Sequence, residues 1–197
     1  MTWIIVGLGN PDEEYARTRH NAGRMAVQKF AKAHELSEWK DDSKAHAFIA
    51  RGLVERVLTL AVLPNTYMNK SGSALARFVK GVKAAEKLIV VYDDLDLPLG
   101  TIKVSFDRGS GGHKGVESIV KALKTKRFVR IRIGISPVNT AGETKKPEGE
   151  KNIERFILGD FTADELTRLK PVFKQVSEAL ETIVHDGHAA AMNRFNS

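Results

Sequence analysis

The sequence predicts an α/β domain, and three features carry that prediction. Short apolar runs at Trp3–Val6 and Leu88–Tyr92 have the length and composition of strands buried on both faces. Segments between such runs carry apolar residues at helical spacing, for example Ala26, Val27, Phe30 and Ala31. Polar, glycine-bearing loops follow the strands, where open α/β sheets place their ligand crevice.

Length and charge bound what such a domain does. At 197 residues the chain suits one domain, 1–197, with room for a substantial core. Hydrophobic content of 42% and charged content of 28% are ordinary for a soluble globular protein. The absence of cysteine excludes disulfides and thiolate chemistry. No secretory signal is visible and no apolar run is long enough to span a bilayer, so a cytoplasmic protein without a membrane role is expected. The net charge of +7 is local: residues 101–135 hold nine Lys or Arg against Asp107 and Glu117, and the remainder balances. That stretch reads as a polyanion-binding surface, with a solvated basic helix face as the alternative.

Taken in order, Trp3–Val6 is a strand, and Gly7 to Gly23 is a polar loop in which Asn10, Arg19, His20 and Asn21 could act on a substrate. His20 stands out because imidazole titrates nearest neutrality. Gly23–His34 reads as a helix, residues 35–46 are ambiguous, and Ala47–Arg51 and Arg56–Leu63 read as strands joined at Gly52. A loop at Pro64–Asn69 follows, and Ser71 is placed to cap a helix bearing Leu75, Phe78, Val79 and Val82 on one face.

Leu88–Tyr92 is expected to end in a polar loop, Asp93–Gly100, before a strand at Thr101–Phe106. Gly109–Gly115 then opens a helix carrying Val116, Ile119, Val120 and Leu123, a geometry suited to anionic oxygens. Phe128–Ile135 reads as a strand with Arg130 and Arg132 on one face. Ser136–Asn152 is expected to be a mobile surface loop. Thr162-Ala-Asp-Glu165 is a capping box, Pro171 should kink or split the helix that follows, and His188–Phe195 is a short amphipathic piece.

Four polar loops therefore stand at strand ends, and their residues resemble one family. Gly7-Leu-Gly-Asn-Pro11, Tyr15, Thr18-Arg-His-Asn21 and Gly23 are followed by Thr66-Tyr-Met-Asn69 and Ser71-Gly72. Asp93-Asp-Leu-Asp-Leu-Pro98, Gly100, Gly111-Gly-His113, Gly115, Arg130-Ile-Arg-Ile-Gly134, Met192-Asn193 and Phe195-Asn196 complete the set. In order and spacing, the chain resembles the bacterial-type peptidyl-tRNA hydrolase family over nearly its whole length.

The resemblance implies a single α/β domain with a twisted mixed β-sheet and helices on both faces. It implies hydrolysis of the ester joining a peptide to the 3′-terminal ribose of tRNA, without metal or organic cofactor. Peptidyl-tRNA is then the partner, with no obligate protein partner and a monomeric chain expected. His20 matches the general base and Asp93 the carboxylate that orients it. Asn10 and Asn69 match amides that orient the peptide and stabilise an oxyanion. Tyr15 and Tyr67 match aromatics beside the tRNA 3′ end. The chemistry is consistent with these residue types, since ester hydrolysis needs an activated water and a carboxylate fixes an imidazole's tautomer. Singly, the bland readings stay open: turn chemistry for the asparagines, a cap for Asp93, core packing for the tyrosines.

Two positions depart from the family pattern. Lys114 stands where the family commonly has Asn, and Ser105 stands where many members have a base paired with the arginine matched by Arg132. Arg132 is carried over as a tRNA phosphate contact, with Lys103 or Arg108 as substitutes for the missing partner. Two rival functions are a non-catalytic RNA-binding protein on the same fold and a nucleotide-dependent enzyme using Gly7-Leu-Gly9 and the 109–115 loop. Peptidyl-tRNA turnover separates the first, and a nucleotide-induced rise in melting temperature the second.

Overall fold

The computed structural model describes residues 2–139 and 143–196. Seven strands form one sheet: β1 Trp3–Gly7, β2 Lys40–Asp42, β3 Ala47–Val54, β4 Val57–Pro64, β5 Leu88–Pro98, β6 Ile102–Phe106 and β7 Val129–Ser136. Their order across the sheet is β2-β3-β4-β1-β5-β7-β6. The pairs β4·β1, β1·β5 and β5·β7 are parallel, while β2·β3, β3·β4 and β6·β7 are antiparallel, so the sheet is mixed as expected. The apolar runs earn their central places: every residue of β1 is buried, as are Leu88 to Tyr92 of β5.

Seven α-helices flank it: α1 Ala22–Ala33, α2 Ser71–Leu75, α3 Val82–Ala85, α4 Lys114–Leu123, α5 Glu150–Ile157, α6 Ala163–Asp186 and α7 His188–Phe195. One face packs on α1, α6 and α7 through residues such as Phe30, Val176, Leu180 and Ala191. The other packs on α2, α3 and α4 through Leu75, Ala85, Val116 and Ile119. The two-sided cover agrees with the predicted fold class.

Several local expectations are corrected. The β3–β4 turn is Glu55–Arg56, at φ 48° and 64°, and Gly52 lies inside β3 opposite Thr59. Two consecutive residues at positive φ match the twist of a tight hairpin, which outweighs the lack of a glycine there. Ser71 does not cap: its hydroxyl donates to the Met68 carbonyl at 2.8 Å, and Lys70 occupies the cap position. The single helix expected after it is two short ones, separated where Gly81 takes φ 87°, a value no α-helix accommodates. Residues 93–98 belong to β5, because β7 runs on beside them and supplies ladder partners through Gly134 and Ser136. Pro171 leaves α6 unbroken over 24 residues. It sits on the exposed side, where the carbonyl of exposed Thr167 that loses its amide partner turns to solvent. In the segment read as a loop, Val138 bridges Thr144 and α5 begins at Glu150, while residues 140–142 lie outside the described residues.

Candidate active site

His20 is carried on a single 3-10 turn, Arg19–Asn21, between the loop after β1 and helix α1. Neighbouring side chains fix that turn rather than reaching for a ligand. The Arg19 guanidinium donates to Glu165 at 2.8 Å and to the carbonyls of Gly159 and Phe156 at 3.1 and 3.3 Å. Buried Asn21 accepts from the Asn10 amide at 2.8 Å and donates to its carbonyl at 3.0 Å. Arg19 and Asn21 are therefore structural, which removes two of the four loop residues considered as actors. Helix α1 then docks tightly on β5: a Cβ on Gly23 would lie 2.1 Å from the Val91 carbonyl oxygen. Only glycine permits that approach, and it sets His20 beside Asp93.

The His20 Nδ1 lies 3.0 and 2.9 Å from the two carboxylate oxygens of Asp93, with both residues buried. Asp93 stands within β5, opposite Ile133 of β7, not at a strand tip. A second imidazole shares the carboxylate, since His113 Nε2 is 3.1 Å from Asp93 Oδ1. Its tautomer follows from the backbone. The amides of Gly115 and Val116 donate to His113 Nδ1 at 3.2 and 3.3 Å, so that nitrogen carries its lone pair and Nε2 carries the proton. Burial alone would raise the Asp93 pKa, but the two imidazoles outweigh it and hold the carboxyl well below the usual carboxylate range. Facing an ionised carboxylate, His20 donates from Nδ1, and in the neutral ring that tautomer puts the lone pair on Nε2.

Around these residues opens a cleft of about 830 Å³. It gathers Asn10, Tyr15, His20, Tyr67, Asn69, Asp93 and Lys114, seven of the residues singled out from the sequence. Asn10 Oδ1 accepts from the Met68 amide at 2.9 Å, so its side chain offers a ligand its NH₂ and not its carbonyl. Tyr67 is 55% exposed at the cleft. Arg132 and Lys103 stand apart from it. They face one another as register partners of β7 and β6, on one side of the sheet, and Arg132 Nε donates to Asp94 Oδ2 at 2.5 Å. Ser105 is buried opposite Arg130, and the Arg108 carbonyl accepts from Arg130, so Lys103 is the base placed beside Arg132.

Two contributors escaped the sequence reading. His113 was quoted in the glycine-rich loop and in the family motif but given no role, although its position just before a helix is a capping position. The far wall of the cleft is α5, with Ile153, Ile157 and Glu154. Its signal was present as Ile153, Phe156 and Ile157 at helical spacing.

Among the described residues, His20, Asp93 and His113 are the one group of His, Asp or Glu close enough to share a metal ion, with ligand atoms within 4.8 Å of one another. Each imidazole already hydrogen-bonds the carboxylate directly, and the remaining nitrogen of His113 faces backbone amides, so the group is satisfied without a cation. Nor does the first turn suit a nucleotide phosphate: the Leu8 amide bonds the Val91 carbonyl and the Asn10 amide bonds Asn21.

A family model described as peptidyl-tRNA hydrolase matches residues 4–197. The chain belongs to the peptidyl-tRNA hydrolase family. It is 42% identical over 197 residues to a peptidyl-tRNA hydrolase of Chloroflexus aggregans, covering 98% of each chain. A Roseiflexus relative of the same name is 40% identical over 198 residues, with 99% of this chain and 86% of that one covered. Among solved structures, peptidyl-tRNA hydrolase from Acinetobacter baumannii superposes with a TM-score of 0.87 at 32% identity, over 100% of this chain and 95% of that one. Within the peptidyl-tRNA hydrolase fold of this chain, no helix of the described residues is long and apolar enough to cross a membrane.

Proposed function

We propose that the chain hydrolyses the ester between a peptide and the 3′-terminal ribose of tRNA, with His20 as general base. The observation that carries this reading is the Asp93 carboxylate held between His20 and His113 at the cleft floor. His20 Nε2 takes a proton from water as the oxygen attacks the ester carbonyl carbon. Asp93, ionised throughout, stabilises the imidazolium that results. The Asn10 NH₂, whose carbonyl partner is already committed to Met68, donates to the developing oxyanion. Collapse of the tetrahedral intermediate expels the ribose oxygen, which recovers the proton from His20.

Asn69 at the cleft orients the peptide, and Tyr15 and Tyr67 pack on the unpaired 3′ end of the tRNA. Lys103 and Arg132 together grip a phosphate farther along the RNA, with Lys114 supplying charge at the cleft. Six of the nine bases in 101–135 (Lys103, Arg108, Lys114, Lys121, Lys124 and Lys126) make neither an ion pair nor a side-chain hydrogen bond among the described residues, which leaves them available to a polyanion. A cytoplasmic, monomeric enzyme without a protein partner fits this role. The test is release of peptide from N-blocked aminoacyl-tRNA by the purified chain. Tight tRNA binding without release would instead mark a non-catalytic RNA-binding protein.

A further inference from the structure

A second cavity, of about 650 Å³, opens at the opposite end of the sheet from the cleft. It is walled by the beginnings of β1 and β4, whereas the cleft lies beyond their ends. Its apolar surface comes from Ile4, Leu58, Leu60 and Phe78. Leu58 is 52% exposed, and its cross-strand partner Leu53 is 64% exposed, so the apolar surface continues outward along the hairpin. Four cations, Arg51, Lys80, Lys83 and Lys87, complete the lining, and no Asp or Glu is among the described residues that line it. None of the four makes an ion pair among the described residues. The Lys87 ammonium is instead held 4.2 Å from the Trp3 ring.

This combination selects one class of ligand. Excess positive charge without a carboxylate calls for an anion. A strand-like peptide finds no free backbone here, because β1 and β4 are interior strands paired on both sides. The Thr59 hydroxyl is taken up by the Val57 carbonyl at 3.2 Å. A nucleic-acid backbone is polar throughout and leaves the apolar wall of Ile4, Leu58 and Leu60 unused, and Phe78 is the one aromatic among the described residues of the lining on which a base could stack. What remains is a molecule that is apolar along its length and anionic at one end. The volume falls in the range of roughly 300–1,000 Å³ usual for small-molecule sites.

We propose that this cavity binds a monomeric aliphatic anion, its chain against Ile4, Leu58, Leu60 and Phe78 and its carboxylate among Arg51, Lys80 and Lys83. The site is independent of the catalytic reading, since it lies at the other end of the sheet. Titration calorimetry of the whole chain with hexanoate, octanoate and decanoate tests it, with amide shifts read by NMR. Affinity should rise about 3- to 4-fold per methylene until the cavity is filled. Salt should weaken it. Shifts should concentrate at residues 2–4, 58–60 and 78–87. Lys80→Glu combined with Lys83→Glu should weaken decanoate by about 10-fold or more, and Leu58→Asp should also weaken it. All three positions are exposed, so melting temperature and peptidyl-tRNA hydrolysis should stay at parent values. Decanol binding as well as decanoate, shifts centred on Tyr67 and Leu158, or binding confined to phosphatidylglycerol vesicles would each overturn the proposal.

Discussion

His113 donates to Asp93 from the nitrogen opposite the one that caps helix α4, so one imidazole ties a helix terminus to a buried carboxylate. His113→Ala should cost about 0.5–2 kcal/mol through the lost cap. It should also move the acid limb of the stability–pH profile to higher pH, because one of the two groups depressing the Asp93 pKa is gone. His113→Asn restores capping without a proven partner for Asp93, so it should recover stability while the shifted limb persists. A profile unchanged in both variants would leave His113 with the cap alone.

His20→Ala should reduce turnover by roughly 10²–10⁴-fold with little change in tRNA binding. Single-turnover rates and a tRNA binding isotherm on the same preparation separate the two. Near-parent turnover would dismiss His20 as the base.

Asp93→Asn should be slow as well, since the amide NH₂ can donate to His20 Nδ1 and so hold the ring in the wrong tautomer. Its stability makes a second, signed prediction. The folded-state pKa of Asp93 is depressed, so its contribution to stability is complete above the unfolded value near 3.9 and is lost as pH falls through the lower folded value. Urea midpoints should therefore fall more steeply below about pH 4 in the parent than in Asp93→Asn. Parallel curves would contradict the depressed pKa.

Lys103→Ala and Arg132→Ala should each weaken tRNA binding and reduce its salt dependence by about 0.7–0.9 in log–log slope. Turnover at saturating substrate should hold. Unchanged slopes would reduce the pair to a solvated stretch of the sheet edge.

Lys114 lines the cleft at the first position of α4, where an ammonium donates and an amide would also accept. Lys114→Asn should keep or raise turnover at saturation while weakening binding more at low salt than at high. Superimposed salt series for parent and variant would leave Lys114 without a role.

How far the sequence disclosed this depends on where each signal lies. The centre of the sheet was legible in Trp3–Val6 and Leu88–Tyr92, because a strand buried on both faces must be apolar throughout. The extension of β5 through Asp93 was not, since its polar residues are held by a β7 ladder that no local pattern reports. His20, Asp93, Asn10, Asn69, Tyr15, Tyr67 and Lys114 were read as one site through the family resemblance of their loops, and they line one cleft. His113 was passed over because its role depends on two backbone amides and a carboxylate twenty residues away. The Lys103–Arg132 pairing needed the β6–β7 register, which one residue of slip would have changed.

The anchor of Arg19 has a consequence for the order in which this molecule comes into being. The turn that presents His20 is clasped by Glu165 and by carbonyls at Phe156 and Gly159, and Thr18 bridges Asp160. Glu165 is also the N3 residue of the α6 capping box, so that same carboxylate must be in place for the last long helix to start well. A ribosome emits His20 early but its clasp only after some 140 further residues. The turn that carries His20 can therefore be clasped only when about four-fifths of the chain has left the peptidyl-transferase centre. An unfinished copy, still esterified to its own tRNA, carries His20 without the clasp that fixes its turn.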